Sequence, residues 1–354
     1  MDIFRRLHQP TNRIISLEQE DYLFFGGTAY LGLLVNEDYR RLVVEGLYKY
    51  GINNGTSRSN NVQLGIYDEA EELLAKRFGF AQSALFSSGY LAAQAAVRQL
   101  SLSREVFYAP HTHPALWIDG RPQALKEDVT EWTEAVVDAV NASPSEYILL
   151  IANAIDNLKP ERYDFNVLKH IREDKKVLLL LDDSHGLGVV RKNALSAGVQ
   201  ELKGCHHIEV AVVASLAKGL GTDAGIVLAS TEVVDEVKRS PIFMGASPSS
   251  PAFIYALAKG ESIYEQAFDR LHNNIAYVCE DVAALEGLSY AEDFPVFTST
   301  DSQLYAKLLQ HRILVSSFPY PLPTSEPLNR IVISALHEPQ DLQRLTEVLH
   351  SVLE

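Results

Sequence analysis

The chain has 354 residues, 47% hydrophobic and 22% charged, with a formal net charge of −15. Such proportions are ordinary for a globular protein, the length favours two subdomains over one core, and the acidic balance argues against a nucleic-acid or anionic-membrane partner, whose phosphates must be met by Lys and Arg. Two cysteines are too few for a disulfide framework, MDIFRRLHQP has no signal-peptide core, and no apolar run nears the roughly 18 residues of a membrane span, so the expectation is a cytoplasmic protein.

In chain order, residues 13–33 read as short strands and turns, and residues 36–50 as a helix ended by Gly51 in a left-handed cap. After the polar loop NNGTSRSNN, the residues Ile66, Ala70, Leu73 and Leu74 recur at helical spacing, with Gly79 as the cap. Ser83 to Phe86 is a short strand that breaks at Ser87-Ser88-Gly89 into an Ala-rich helix running to about Leu100. Four further apolar runs, 105–108, 147–152, 177–181 and 208–214, have strand character, and helical segments separate most of them. That alternation predicts an α/β fold with a mostly parallel central sheet covered on both faces. A strand at 225–229 follows a Gly-rich turn. Beyond about residue 240 the style changes: PIFMGASPSSP leads into a long helix near 251–285, then a strand RIVISAL, then a helix with Leu342, Leu345, Leu349 and Val352 on one face. The expected division is an N-terminal segment, 1–45, joining a smaller α+β C-terminal domain, 241–354, with the large domain at 46–240.

Several residues have chemistry to offer. Lys218 lies in VVASLAKGLGTDAG, just past a strand that runs up to Ser215, at the sheet edge where α/β proteins place ligands. Desolvation or positive neighbours would make its amine a nucleophile toward a carbonyl; otherwise it is a solvated loop lysine. Asp182 closes VLLLLD and is placed to meet a protonated ring nitrogen, while Asp183 points the opposite way and His185 follows in the turn. Ser88, Gly89 and Tyr90 open a helix whose free N–H groups suit a phosphate, although an N-cap alone explains the serine. There is no GxxxxGK[ST], which leaves a nucleotide P-loop unsupported. His111 and His113 have H-x-H spacing but no nearby Cys or carboxylate partner, so no metal is expected, and a flat imidazole stacked on a ring is the other use. Cys205, His206 and His207 read as a loop entering the next strand. Arg330 suits a substrate carboxylate or an ion pair.

Taken in order, these pieces resemble the fold-type I pyridoxal-phosphate (PLP) enzymes, and within them the α-oxoamine synthase family. AYLGL at 29–33 is similar to the family's N-Y-L-G-L and TSR at 56–58 to its G-S-R. FSSGY at 86–90, DDSHGLG at 182–188, SLAKGLG at 215–221 and RIVISALH at 330–337 complete a match across nearly the whole chain. The resemblance implies a PLP-dependent transferase in which Lys218 carries the cofactor as a Schiff base and later moves protons at the substrate α-carbon. Asp182 would pair with the pyridine nitrogen, His185 sit beside the ring oxygen, and His113 stack on the ring. Ser215, with Ser88, Gly89 and Tyr90, would hold the phosphate, and Asn153 would touch the ring oxygen. Arg330 would receive the amino-acid carboxylate. The implied reaction condenses an amino acid with an acyl-CoA to an α-amino ketone, with L-alanine and pimeloyl-CoA the family's commonest pair. A homodimer is implied too, with Ser247 or Ser249 reaching the neighbour's phosphate. Departures lie at Ala29, in place of the family's Asn, at ANAIDNLKP in place of S-M-D-G, and in NNVQLGIYD, which lacks the family's substrate loop. Because these positions handle substrate, an aminotransferase using the same ring chemistry and a non-catalytic PLP-fold binding or regulatory protein stand as rivals.

Overall fold

The computed structural model describes residues 3–156, 158–299, 301–319, 324–325 and 327–353. Two six-stranded sheets organise it. The first takes, in spatial order, Gln82–Phe86, Gly225–Ala229, Ile208–Ser215, Lys176–Asp182, Tyr147–Asn153 and Glu105–Tyr108. Its last four strands are mutually parallel, and Gly225–Ala229 is antiparallel to both neighbours. Residues 177–181 and 148–152 are buried throughout, as continuous apolar runs in a parallel sheet with both faces covered must be. Helix Ile66–Phe78 ends at Gly79, whose φ of 76° is the left-handed conformation that a cap of this kind requires. The Ala-rich helix Gly89–Leu100 packs on the strands Ile208–Ser215 and Gly225–Ala229, its small side chains allowing close approach.

The second sheet joins the two ends of the chain. Ile14–Leu17 and Glu20–Phe25 form a hairpin whose inner strand pairs in parallel with Ile313–Pro319, which continues through Pro327–Val332 and Val296–Ser299 to Leu288–Tyr290. His337 locks this arrangement. Its ring stacks on Phe25 at 4.0 Å between centroids, Nδ1 accepts from the Ser334 N–H at 3.0 Å, and Nε2 therefore carries the proton that goes to the Phe24 carbonyl at 3.0 Å.

One expectation needs correction. The single long helix near 251–285 is two helices, Pro251–Lys259 and Glu261–Asp281, broken at Gly260. A Cβ there would sit 2.9 Å from the Ala256 carbonyl oxygen and 3.2 Å from the Tyr39 ring, so a side chain at the turn would press first on the backbone of the preceding helix. The first of these helices packs on Glu37–Tyr50 and Ile66–Phe78, and the second meets the C-terminal helix Pro339–Leu353. Among the described residues no helix is long and apolar enough to cross a membrane.

Burial holds His337 down to a pKa of about 4, against 6.5 for the free side chain. The unfolded chain takes up this proton first as the pH falls. The contribution is therefore intact above about pH 6.5 and is lost progressively toward pH 4, by roughly 3 kcal/mol. Urea unfolding at pH 7.5 and pH 4.5 should show this component in the parent protein, and His337→Gln should lack it.

Candidate active site

The carboxyl ends of three parallel strands set the floor of a cleft. Register pairs Asn153 with Asp182, and Asp182 with Val213, so these side chains arrive at one edge together. Lys218 reaches the same edge from the turn after Ser215, where Gly221 has a φ of 60° and a Cβ at Gly219 would meet Val189 Cγ2 at 2.5 Å. Lys218, Asp182, His185, His113 and Asn153 thus line one cleft, together with His111, Asp156 and Leu158.

Lys218 Nζ lies 2.8 Å from His185 Nε2, and His185 Nδ1 lies 2.7 Å from the Tyr30 hydroxyl. Burial lowers the Lys218 amine to a pKa of about 8, helped by the charge of Arg330 and opposed by Asp182. Burial also drives His185 well below the usual imidazole range, reinforced by Lys218, Arg330 and His113. His113 is lowered by burial against the pull of Asp182. Two neutral imidazoles therefore flank an amine that can lose its proton near neutral pH.

The supports of these groups are local. Asp182 Oδ1 accepts from the Ser184 N–H at 2.9 Å, and the Ser184 hydroxyl in turn accepts from the Ser215 N–H at 2.8 Å, which ties two strand ends together. Asp183 does point away: fully buried, it accepts from the Ser196 N–H and hydroxyl, and burial raises its pKa to about 7. Asn153 binds the histidine loop, accepting from the His113 N–H at 3.2 Å and donating to the His111 carbonyl at 2.8 Å. Its amide is thus occupied in holding His113 over the cleft. His113 Nδ1 accepts from the Ala115 N–H at 3.1 Å, which leaves the proton on Nε2, and Gln94 fixes the following residues through the carbonyls of Ala115 and Trp117.

At the amino end of Gly89–Leu100, Ser88 Oγ caps the helix by accepting from the Leu91 N–H at 3.2 Å. Gly89 abuts Ser215: a Cβ there would come within 2.5 Å of Ser215 Cβ, and one at Gly225 within 2.1 Å of the Ser88 carbonyl oxygen. The early N–H groups of this helix therefore open beside Ser215, two residues along a hydrogen-bonded path from Asp182. Arg330 is buried, 4% exposed, with its guanidinium over the Phe318 ring, and its Nε has no hydrogen-bond partner among the described residues. A buried guanidinium N–H left unmatched beside Lys218 and His185 is a place for an anion. Ser249 is buried and donates to the Asp223 carbonyl at 2.5 Å, whereas Ser247 is exposed. Sequence reading passed over Tyr30 and Ser184, although each lies inside a motif, because partners at the sheet edge leave no periodic trace in the sequence.

No family model matches the chain. It is 24% identical to an 8-amino-7-oxononanoate synthase of Thermosipho melanesiensis, over 98% of this chain and 92% of that one. Among solved structures, a serine palmitoyltransferase from S. paucimobilis described with a bound PLP-myriocin adduct superposes with a TM-score of 0.81 at 19% identity, covering 99% of this chain and 92% of the other. An 8-amino-7-oxononanoate synthase from Francisella tularensis gives a TM-score of 0.69 at 18% identity, covering 93% and 97%. At these identities the two structures establish a shared fold.

Gly225→Ala should disrupt the junction between the helix start and the two strands, since the new methyl has backbone on its contact side. Overpacking of this kind costs about 1–3 kcal/mol, measurable as a lowered midpoint of urea unfolding.

Proposed function

Because the chain belongs to the PLP-dependent α-oxoamine synthase family, we propose that it condenses an amino acid with an acyl-CoA, releasing coenzyme A and forming an α-amino ketone in the manner of 8-amino-7-oxononanoate synthase. The observation that carries the reading is the Lys218 amine, lowered by burial to a pKa of about 8 and held between His185 and the charge of Asp182.

The residues present fit the cofactor. Lys218 would hold its aldehyde carbon, Asp182 its ring nitrogen, and His113 a face of the ring. The Gly89 and Tyr90 N–H groups with the Ser215 hydroxyl would take its phosphate, in a cradle where any Cβ at Gly89 or Gly225 would collide. When bound, PLP supplies an electron sink that stabilises negative charge at the substrate α-carbon. The protein's own tasks follow from its geometry. Arg330 presents its unpartnered Nε to the amino-acid carboxylate and orients the substrate. Asp182 is acceptor-only when ionised and so favours a protonated ring nitrogen. Lys218, with its amine free again, takes the proton from the α-carbon at Nζ and returns it at the end. His185 donates or accepts beside the thioester oxygen, and Asn153 fixes His113 rather than acting on substrate itself.

A cytoplasmic homodimer completes the proposal. Support comes from exposed apolar side chains: Val44, Leu47 and Tyr48 on the helix Glu37–Tyr50, Ile52 and Val62 after it, Phe253 on the helix Pro251–Lys259 that packs against it, and Met244, whose carbonyl accepts from the Ser59 hydroxyl. Tyr48 is 90% exposed and Ile52 77%, a cost in water that a second copy would remove. Tyr48→Glu should halve the mass measured by sedimentation equilibrium.

The reaction is tested by thiol release from acyl-CoA with each candidate amino acid. Amino-acid-dependent release is expected, abolished in Lys218→Ala. In Arg330→Gln the amino-acid KM should rise about 10- to 100-fold, the loss of a charged hydrogen bond. Transfer of amino groups to a keto acid without thiol release would put an aminotransferase in its place.

A further inference from the structure

We infer that Tyr30, acting through His185, holds the Lys218 amine in its neutral, nucleophilic form, which makes Tyr30 a positioning residue for the site proposed above. The inference rests on that reading for what the lysine does, and on geometry for how it is controlled. Tyr30 Oη, His185 and Lys218 Nζ form one chain with contacts of 2.7 and 2.8 Å. Tyr30 is 0% exposed, and among the described residues its hydroxyl has no partner other than His185.

A neutral imidazole offers this chain two tautomers. If Lys218 is an ammonium, it has donors and no acceptor, so Nε2 must be bare and Nδ1 must carry the hydrogen, which goes to the Tyr30 oxygen. The Tyr30 O–H hydrogen then faces a dry interior with nothing to accept it. If Lys218 is a neutral amine, its lone pair accepts from Nε2–H, Nδ1 is bare, and Tyr30 O–H donates to it. In the second arrangement both the imidazole N–H and the Tyr30 O–H have acceptors. The two states differ by one proton, released to solvent through the lysine's cleft. Burial pushes the Tyr30 hydroxyl up to about 12, so it keeps its hydrogen throughout.

Other groups act on the same amine. Asp182 favours the ammonium, and Arg330 opposes it. His113 bears on His185, and His111 and Asp156 line the same cleft. Tyr30 differs from all of these because it works through the identity of a tautomer and carries no charge. Replacing its hydroxyl removes the donor that favours a bare Nδ1, and with it the preference for the Nε2–H tautomer.

The test follows capture of pyridoxal 5′-phosphate on Lys218, trapped with borohydride and located by peptide mass, across pH 6–10, in the parent protein and in Tyr30→Phe. The parent should capture with an apparent pKa near 8, and the variant with a value higher by about one unit, so that capture at pH 7 slows about tenfold. A purely structural tyrosine would not move this profile, and superimposable profiles would overturn the inference. Nitrogen-15 NMR of His185 in the unaltered protein gives a second reading that survives if the variant fails to fold. Above the transition the Nε2–H tautomer is expected; Nδ1–H there would overturn the inference. Absence of any capture on Lys218 would sink the functional reading instead, while the tautomer still decides the role of Tyr30.

Discussion

A lysine serves as a nucleophile near neutral pH only if it is withdrawn from water without becoming half of a tight ion pair. The position of Lys218 meets both conditions. Its nearest polar contact is an imidazole that burial keeps neutral, and the carboxylate of Asp182 is already engaged by the Ser184 N–H. Arg330 adds a second positive charge without touching the amine, and this weakens the ammonium further. Most of the neighbouring structure maintains that balance: the register that brings Asp182 beside Asn153, the glycines that allow the Lys218 turn, and the clamp on the histidine loop.

Much of this was legible in the sequence, for physical reasons that differ by element. The apolar runs ending at Asp182 and Ser215 read as buried parallel strands because both of their faces need covering, and strand ends are where such sheets present polar groups. Lys218 and Asp182 therefore came forward together. The break at Gly260 did not, because the apolar pattern runs on through a single glycine without marking a turn, and the Tyr39 ring beside it lies more than 200 residues away in sequence. Asn153 drew attention through the family resemblance, but the carbonyl it holds belongs to a loop that no local pattern links to it. The same holds for Tyr30, whose partner His185 is separated from it by 155 positions. Side chains that act by touching the backbone or by choosing a tautomer leave no periodic mark, whereas those that close a strand do.

The imidazoles illustrate how one residue type is put to opposite uses within one chain. His337 is buried with both ring nitrogens committed to backbone, so its fixed tautomer fastens two ends of the molecule. His185 is buried with both ring nitrogens facing side chains whose own protons can rearrange. Burial depresses both, yet only the second can alter its hydrogen-bonding sense without breaking a backbone contact.

The second sheet carries a consequence for how the polypeptide is made. Its strand Glu20–Phe25 leaves the ribosome well before its partner Ile313–Pro319, since Leu23 pairs with Ile313. Until that partner has been made, the early hairpin has an edge without its neighbour, including the buried Phe25. Closure of the long loop between Phe25 and Ile313 must precede that pairing, which makes it a slow event. In the interval the nascent chain presents an open β-edge with aromatic side chains, the kind of surface that chaperones engage and that seeds association between half-made copies.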